Sequence, residues 1–182
     1  MESMHIKEIT ELAGLTKGHG LYLFKNQDQY ITRVADFVIS GAKRGEYSII
    51  IENDRLLPLI TKRLMETADE SSLEKAKFIN NFDFYYAKGD LGINSIFDFL
   101  PTLIEGYSER DVAIRSWAHV EWRDEQEVIT KLLFSEQSAD TIVTETELLS
   151  VCAYDSERVS KDLEEGLLNC HNFLINDENR LT

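Results

Sequence analysis

The sequence predicts an α/β domain, a three-layer sandwich with a mostly parallel central sheet. Two observations carry this prediction. Short β-prone apolar runs alternate along the chain with stretches whose apolar residues recur at helical spacing, the pattern of consecutive βαβ units. The chain also has 182 residues, 43% of them hydrophobic, enough for one substantial core. No repeat, low-complexity tract or Gly/Ser linker divides it. A single domain spanning 1–182 is expected, with its core at roughly 15–175.

Leu21 to Phe24 forms the first strand, and Tyr30, Val34, Phe37, Val38 and Gly41 share one face of the helix that follows. Lys43, Arg44 and Gly45 close that helix, with cations near its last carbonyls and a glycine just beyond them. Tyr47 to Ile51, "YSIII", is a buried strand. Asp54 is placed to cap a second helix carrying Leu57, Ile60 and Leu64, with Pro58 in its tolerant first turn. The acidic segment Ala68 to Ala76 reads as a loop that continues or frays this helix. A third strand is expected within Phe78 to Tyr86, "FINNFDFYY".

Ile96, Phe97, Leu100 and Ile104 mark a third helix that Pro101 should kink or split. Val112 to His119 gives a fourth strand and Val128, Ile129, Leu132 and Leu133 a fourth helix. Glu147 to Tyr154 gives a fifth strand. Val159, Leu163, Leu167 and Cys170 stripe a last helix, before the short apolar ending "HNFLI".

A strand, a turn and a helix at the start of such a fold raise the question of phosphate binding. A phosphate cradle needs glycines whose backbone N–H groups can approach the anion, usually with a Lys followed by Ser or Thr. The turn from Lys25 to Gln29 has no glycine and carries Asp28 instead. The formal net charge of −14 opposes attraction to a polyanion, so direct nucleic-acid binding is not expected. No apolar run suggests a membrane span or an export segment, and two cysteines cannot build a disulfide framework of the secreted kind. A soluble, cytoplasmic protein is expected.

Four stretches carry a resemblance to a known family: "GHGLYLF", "GAKRGEYSIII", "GYSERDVAIRSWAHVEW" and "CAYDSERVS". Their order and spacing resemble the MEDS domain, a bacterial and archaeal sensory domain named for methanogens, methylotrophs and a dichloromethane-responsive regulator. The resemblance covers roughly Leu15 to Ile175. It implies a RecA-like or KaiC-like degenerate nucleotide-binding core without a phosphate loop. It also implies sensing of small organic ligands, such as hydrocarbon derivatives, for kinases or transcription regulators.

Position by position, the family's ligand-binding residues look like His19, Tyr22, Trp122, Tyr154 and Asp155. One departure stands out, because Ala118 and His119 occupy the place of an expected Gly-Glu pair. Relatives often carry a DNA-binding or kinase module, and none is expected within these 182 residues. Regulation is therefore expected to act through a partner protein.

The residues themselves allow two roles at each position. His19, between Gly18 and Gly20, can bind a ligand or sense protons, or it can bind a backbone carbonyl and fix the entry to its strand. Tyr154 suits a pocket wall or a core edge. Asp155, at a strand end where open α/β sheets bind ligands, can serve the ligand or cap the following helix. Trp122 can line an apolar box or belong to the core.

No His-x-x-His, Cys-x-x-Cys or His-Glu-x-x-His spacing points to a metal, and adjacent residues such as Cys170 and His171 seldom reach one ion together. No catalytic motif such as Gly-x-Ser-x-Gly occurs, so neither a cofactor nor an enzyme is expected. The leading function is a non-catalytic sensory module for a small organic ligand. The alternatives are an acidic protein-protein regulator that needs no ligand and nucleotide binding, which lacks its cradle. Homodimerisation is compatible with all three.

Overall fold

The computed structural model describes residues 6–87, 89, 98–108 and 111–177, without the side chains of 125–128. Its strands are β1 (Lys7–Ile9), β2 (Gly18–Phe24), β3 (Tyr47–Glu52), β4 (Ala76–Asn80), β5 (Ile114–His119), β6 (Leu149–Asp155) and β7 (Phe173–Ile175). They form one seven-stranded sheet in the order β1-β7-β2-β6-β5-β3-β4, and every pairing is parallel. The helices are α1 (Gln27–Lys43), α2 (Leu57–Thr67), α3 (Glu70–Glu74), α4 (Asn81–Tyr85), α5 (Leu100–Leu103), α6 (Glu125–Thr146) and α7 (Lys161–Asn169).

Helices cover both faces, as the alternating pattern requires. Tyr30, Val34, Phe37 and Val38 of α1 and Ile60 and Leu64 of α2 pack on one face, against Tyr22, Ile50, Trp117 and Val151. Phe84 and Tyr85 of α4, Leu100, Leu132, Leu163 and Leu167 pack on the other, against Leu21, Ile49, Ile51, Cys152 and Tyr154. The unbroken run of isoleucines in β3 follows directly, since an interior parallel strand, here between β5 and β4, is buried on both sides.

Helix α1 begins where Asn26 accepts a hydrogen bond from the Gln29 N–H, and it ends with Lys43 ahead of Gly45, whose φ of 79° lies in the left-handed region. The turn that lacks phosphate-binding glycines is thus an asparagine cap.

Several elements differ from expectation. The apolar ending becomes β7, and β1, too short and polar to read from sequence, pairs beside it. Ala68–Ala76 is not simply a loop: Asp69 accepts from the Ser72 N–H and starts the separate helix α3. In "FINNFDFYY" the strand ends at Asn80, whose side chain caps α4, so the later aromatics lie on a helix. Asp54 does not cap α2. Asn53 accepts from the Leu56 N–H instead, while Asp54 accepts from Asn80.

Pro101 opens α5 rather than kinking a longer described helix, and the expected helical positions Ile96 and Phe97 lie outside the described residues. Helix α6 runs much further than its apolar stripe, because Ser135 and Glu136 occupy its buried face between Leu132 and Val143.

Gly20 marks a close approach between strands. A Cβ there would lie 2.4 Å from the ring of Phe173, its pairing partner on β7. Gly20→Ala is expected to destabilise the fold by about 1–3 kcal/mol, the range for overpacking, as read by urea unfolding.

Candidate functional site

The sequence-derived site residues separate onto two faces of the sheet. Successive side chains of a strand alternate, so His19 points toward α6 and α7 while Tyr22 points toward α1. Tyr22 is buried and donates to Asp177, which also accepts from Arg33 Nε at 2.7 Å. Burial and the Asp177 carboxylate push the Tyr22 hydroxyl well above its usual range.

Trp122 is core, with its ring 6.0 Å from that of Tyr154 and the Arg158 guanidinium 4.6 Å over its own face. Asp155 accepts from the Glu157 N–H and caps the 3-10 turn Ser156–Arg158; Ser160 caps α7. The expected helix-capping role of Asp155 is therefore displaced to that turn.

His19 and Tyr154 do meet, through a residue that sequence reasoning did not select. Glu136, buried on α6, accepts from the Tyr154 hydroxyl through Oε1. Its other oxygen, Oε2, lies 3.3 Å from His19 Nε2 and 3.4 Å from His171 Nε2. Cys152 Sγ is 3.4 Å from His19 Nε2, and the two imidazole rings stack with centroids 4.0 Å apart. One donor atom from each of His19, Glu136, Cys152 and His171 falls within 4.8 Å of the others, and all four residues are buried. Among the described residues, this set has the chemistry to hold a metal ion.

Burial works against the Glu136 charge, but the two imidazoles beside it hold its carboxyl well below the usual carboxylate range. Burial likewise lowers the tendency of His19 to protonate, and the Glu136 carboxylate outweighs it and raises the His19 pKa. The Cys152 thiol and Tyr154 hydroxyl are pushed up by burial and by the Glu136 charge.

A second polar centre lies at the carboxyl ends of β3 and β5. Glu52 accepts from His119 Nδ1 at 2.6 Å, from the Asn53 N–H at 2.9 Å and from the Tyr30 hydroxyl at 2.5 Å. Trp117 Nε1 donates to that hydroxyl at 3.0 Å. His119, where the resemblance leads one to expect glutamate, is thus the hydrogen-bond partner of a buried glutamate.

Alongside, a cleft of about 550 Å³ opens at the carboxyl ends of β2 and β7. Leu23, Val159 and Leu174 give it apolar walls, and Lys25, Gln29, Asn176 and Asp177 supply polar groups. From the neighbours β2 and β6 the chain departs in opposite directions, through α1 to β3 and through α7 to β7, so a topological switch point lies between them, and Ser156 and Val159, just past β6, bring the cleft to its edge.

A family model described as MEDS, the MEthanogen/methylotroph, DcmR Sensory domain, matches residues 18–172. The chain belongs to the MEDS family. No curated protein and no solved structure matches it. MEDS is a family of sensory domains, and the matched span contains β2 to α7 with the whole His19–Glu136–Cys152–His171 cluster. Among the described residues, no helix is long and apolar enough to cross a membrane.

Within this MEDS domain, three cluster members were hidden in the sequence. Glu136 lies past the apolar positions Val128 to Leu133 that mark the fourth helix, and Cys152 falls within the expected fifth strand. His171 follows Cys170, whose side chain turns back to the Gly166 carbonyl instead of joining it. One signal existed: Glu136 keeps the helical register of Leu132 and Val143, so a charge falls on the buried stripe.

The Glu121 carboxylate offers a pH test of the second centre. Burial opposes its charge, but His119 and hydrogen bonds from Asn53 at 2.9 Å and Asn81 at 2.8 Å lower its pKa. With the folded value below the unfolded one, this group's contribution is present above the ordinary glutamate range and lost as the pH falls through the folded value. Glu121→Gln should flatten that acid limb, as read by urea midpoints across an acid series.

Proposed function

We propose that this MEDS domain is a non-catalytic sensory module that binds a small organic ligand in the switch-point cleft and reports occupancy to a regulatory protein. The observation that carries the reading is the position of the cleft, outside the carboxyl ends of β2 and β7, where open α/β sheets bind ligands. Its walls suit a small molecule with an apolar body and one polar end. Asp177, on the cleft wall, is gripped from beneath by Tyr22 and Arg33. Tyr22 therefore supports the site without lining it.

Occupancy becomes a signal only if the ligand binds two conformations unequally. The cleft touches Gln29 at the start of α1 and Glu164 on α7, one helix on each face of the sheet. A shift of either helix would change the outer surface.

The partner reading has its own support. Phe134 of α6 and Met65 of α2 are 71% and 69% exposed on a chain of net charge −14. An acidic surface with isolated apolar anchors suits a basic regulatory protein.

The test is a thermal-shift screen of small alcohols, amines and halogenated hydrocarbons against the wild type and Leu23→Trp, which fills the cleft. A true ligand at about 100 times its Kd should stabilise the wild type by about 2.7 kcal/mol and leave the variant unmoved. If no compound acts while a basic regulatory protein binds in a salt-sensitive way, the ligand-independent regulator is the correct reading.

A further inference from the structure

We infer that His19, Glu136, Cys152 and His171 form a binding site for one tetrahedral divalent transition-metal ion of the zinc class. This site lies beneath α6, apart from the cleft, and does not depend on what the cleft binds.

The spacing is the first argument. Four ligands at about 2.0–2.3 Å from a tetrahedral centre lie about 3.3–3.7 Å from one another. The separations here are 3.3 Å (His19 Nε2 to Glu136 Oε2), 3.4 Å (His171 Nε2 to Glu136 Oε2) and 3.4 Å (His19 Nε2 to Cys152 Sγ). These three of the six pairs match tetrahedron edges, the two N···O separations are longer than ordinary N–H···O hydrogen bonds, and all four atoms lie within 4.8 Å of one another.

The proton positions are the second. His19 Nδ1 lies 3.0 Å from the Cys170 carbonyl and 3.3 Å from Asp140 Oδ1, and His171 Nδ1 lies 2.6 Å from the Leu167 carbonyl. A carbonyl can only accept, so each Nδ1 carries a proton and, in the neutral ring, each Nε2 presents a lone pair. Backbone carbonyls orient metal-ligating histidines in this way, and the Tyr154 hydroxyl fixes the carboxylate likewise by occupying Oε1.

In the neutral rings, both Nε2 lone pairs face the Glu136 carboxylate oxygen Oε2, acceptor against acceptor. Glu136 Oε2 and His171 Nε2 are buried without a hydrogen-bond partner, a costly state unless something positive lies between them. Protons on both Nε2 atoms would stack two imidazolium rings with centroids 4.0 Å apart, and a proton on one alone would leave the other Nε2 lone pair facing the carboxylate oxygen. A single divalent ion resolves the conflict with both rings neutral, and thiolate plus carboxylate balance its charge. Two imidazoles, a thiolate and one carboxylate select zinc-like ions over magnesium or calcium.

With four protein ligands the site is closed, which suits a structural tie. It would join β2, α6, β6 and the segment between α7 and β7 at one point.

The experiment is a titration of chelator-treated full-length chain with Co²⁺, followed by Zn²⁺. The expected result is one equivalent of cobalt, tetrahedral ligand-field bands in the visible, a near-ultraviolet thiolate-to-cobalt band, and loss of both on zinc displacement. Cys152→Ser should lose the thiolate band. Tyr154→Phe, which removes only the hydroxyl, should weaken zinc binding roughly 10–100-fold. The inference is overturned if the folded wild type takes up neither ion in stoichiometric amount, or if the thiolate band survives in Cys152→Ser. It is equally overturned if ¹⁵N spectra of metal-free and zinc-treated wild type both show His19 and His171 as imidazolium.

Discussion

Trp117→Ala should cost about 3–5 kcal/mol of folding stability, the range for deleting a large buried aromatic. Trp117 is fully buried in β5, and its indole packs edge-on against Tyr22 at 5.7 Å, Tyr30 at 6.0 Å and Phe37 at 5.3 Å between ring centroids. Its Nε1–H also donates to the Tyr30 hydroxyl, which in turn donates to Glu52. The substitution therefore opens a cavity and strips a donor from a buried polar chain. Against a total stability of about 5–15 kcal/mol, the loss is a large fraction. Trp117→Phe keeps most of the volume and should cost clearly less. Equilibrium urea unfolding of both variants checks the order.

His119→Glu should be the most damaging change at the second polar centre. It restores the residue type that the MEDS resemblance leads one to expect, but places a second carboxylate where Glu52 Oε1 now meets His119 Nδ1 at 2.6 Å. Both side chains are nearly inaccessible, at 2% and 1% exposure. Removing one partner of a buried pair costs about 3–5 kcal/mol, and a like charge adds repulsion. The variant should regain stability as the pH falls, because two facing carboxylates can share a proton. Glu52→Gln in the same chain should rescue it at neutral pH. Failure of that rescue would mean that His119 acts through packing rather than through Glu52.

The sequence revealed the layers because burial on two sheet faces leaves a direct mark. The run Ile49 to Ile51 in "YSIII" is unbroken since β3 is an interior strand covered on both faces, and the stripe from Tyr30 to Gly41 is the buried face of α1. Likewise "SWAHVEW" sorts as expected, with Trp117 toward α1 and Ala118, Val120 and Trp122 in the opposite core. Elements held by pairing or by caps left a weaker mark. Strand β1 is three residues long and polar, and α3 exists because of one aspartate cap.

The candidate site was half legible. His19 and Tyr154 were singled out and do converge, but their meeting point Glu136 lies past the apolar positions Val128 to Leu133 that mark the fourth helix. Cys152 and His171 are separated from it by the rest of the fold, and only the parallel pairing of β2 with β6 brings Cys152 beside His19. Trp122 and Tyr22 were found for their aromatic character, which the core uses as readily as a pocket does. No spacing in the chain could have shown which use applies.

The sensory reading is tested most directly by mass spectrometry of the small molecules released on denaturing the wild type and Leu23→Trp, each purified from its source cells. The account requires a small organic molecule in stoichiometric amount on the wild type, absent from the variant. A wild type that carries none and gains no stability from any small molecule, or a variant that retains the same molecule, would contradict a ligand in the switch-point cleft.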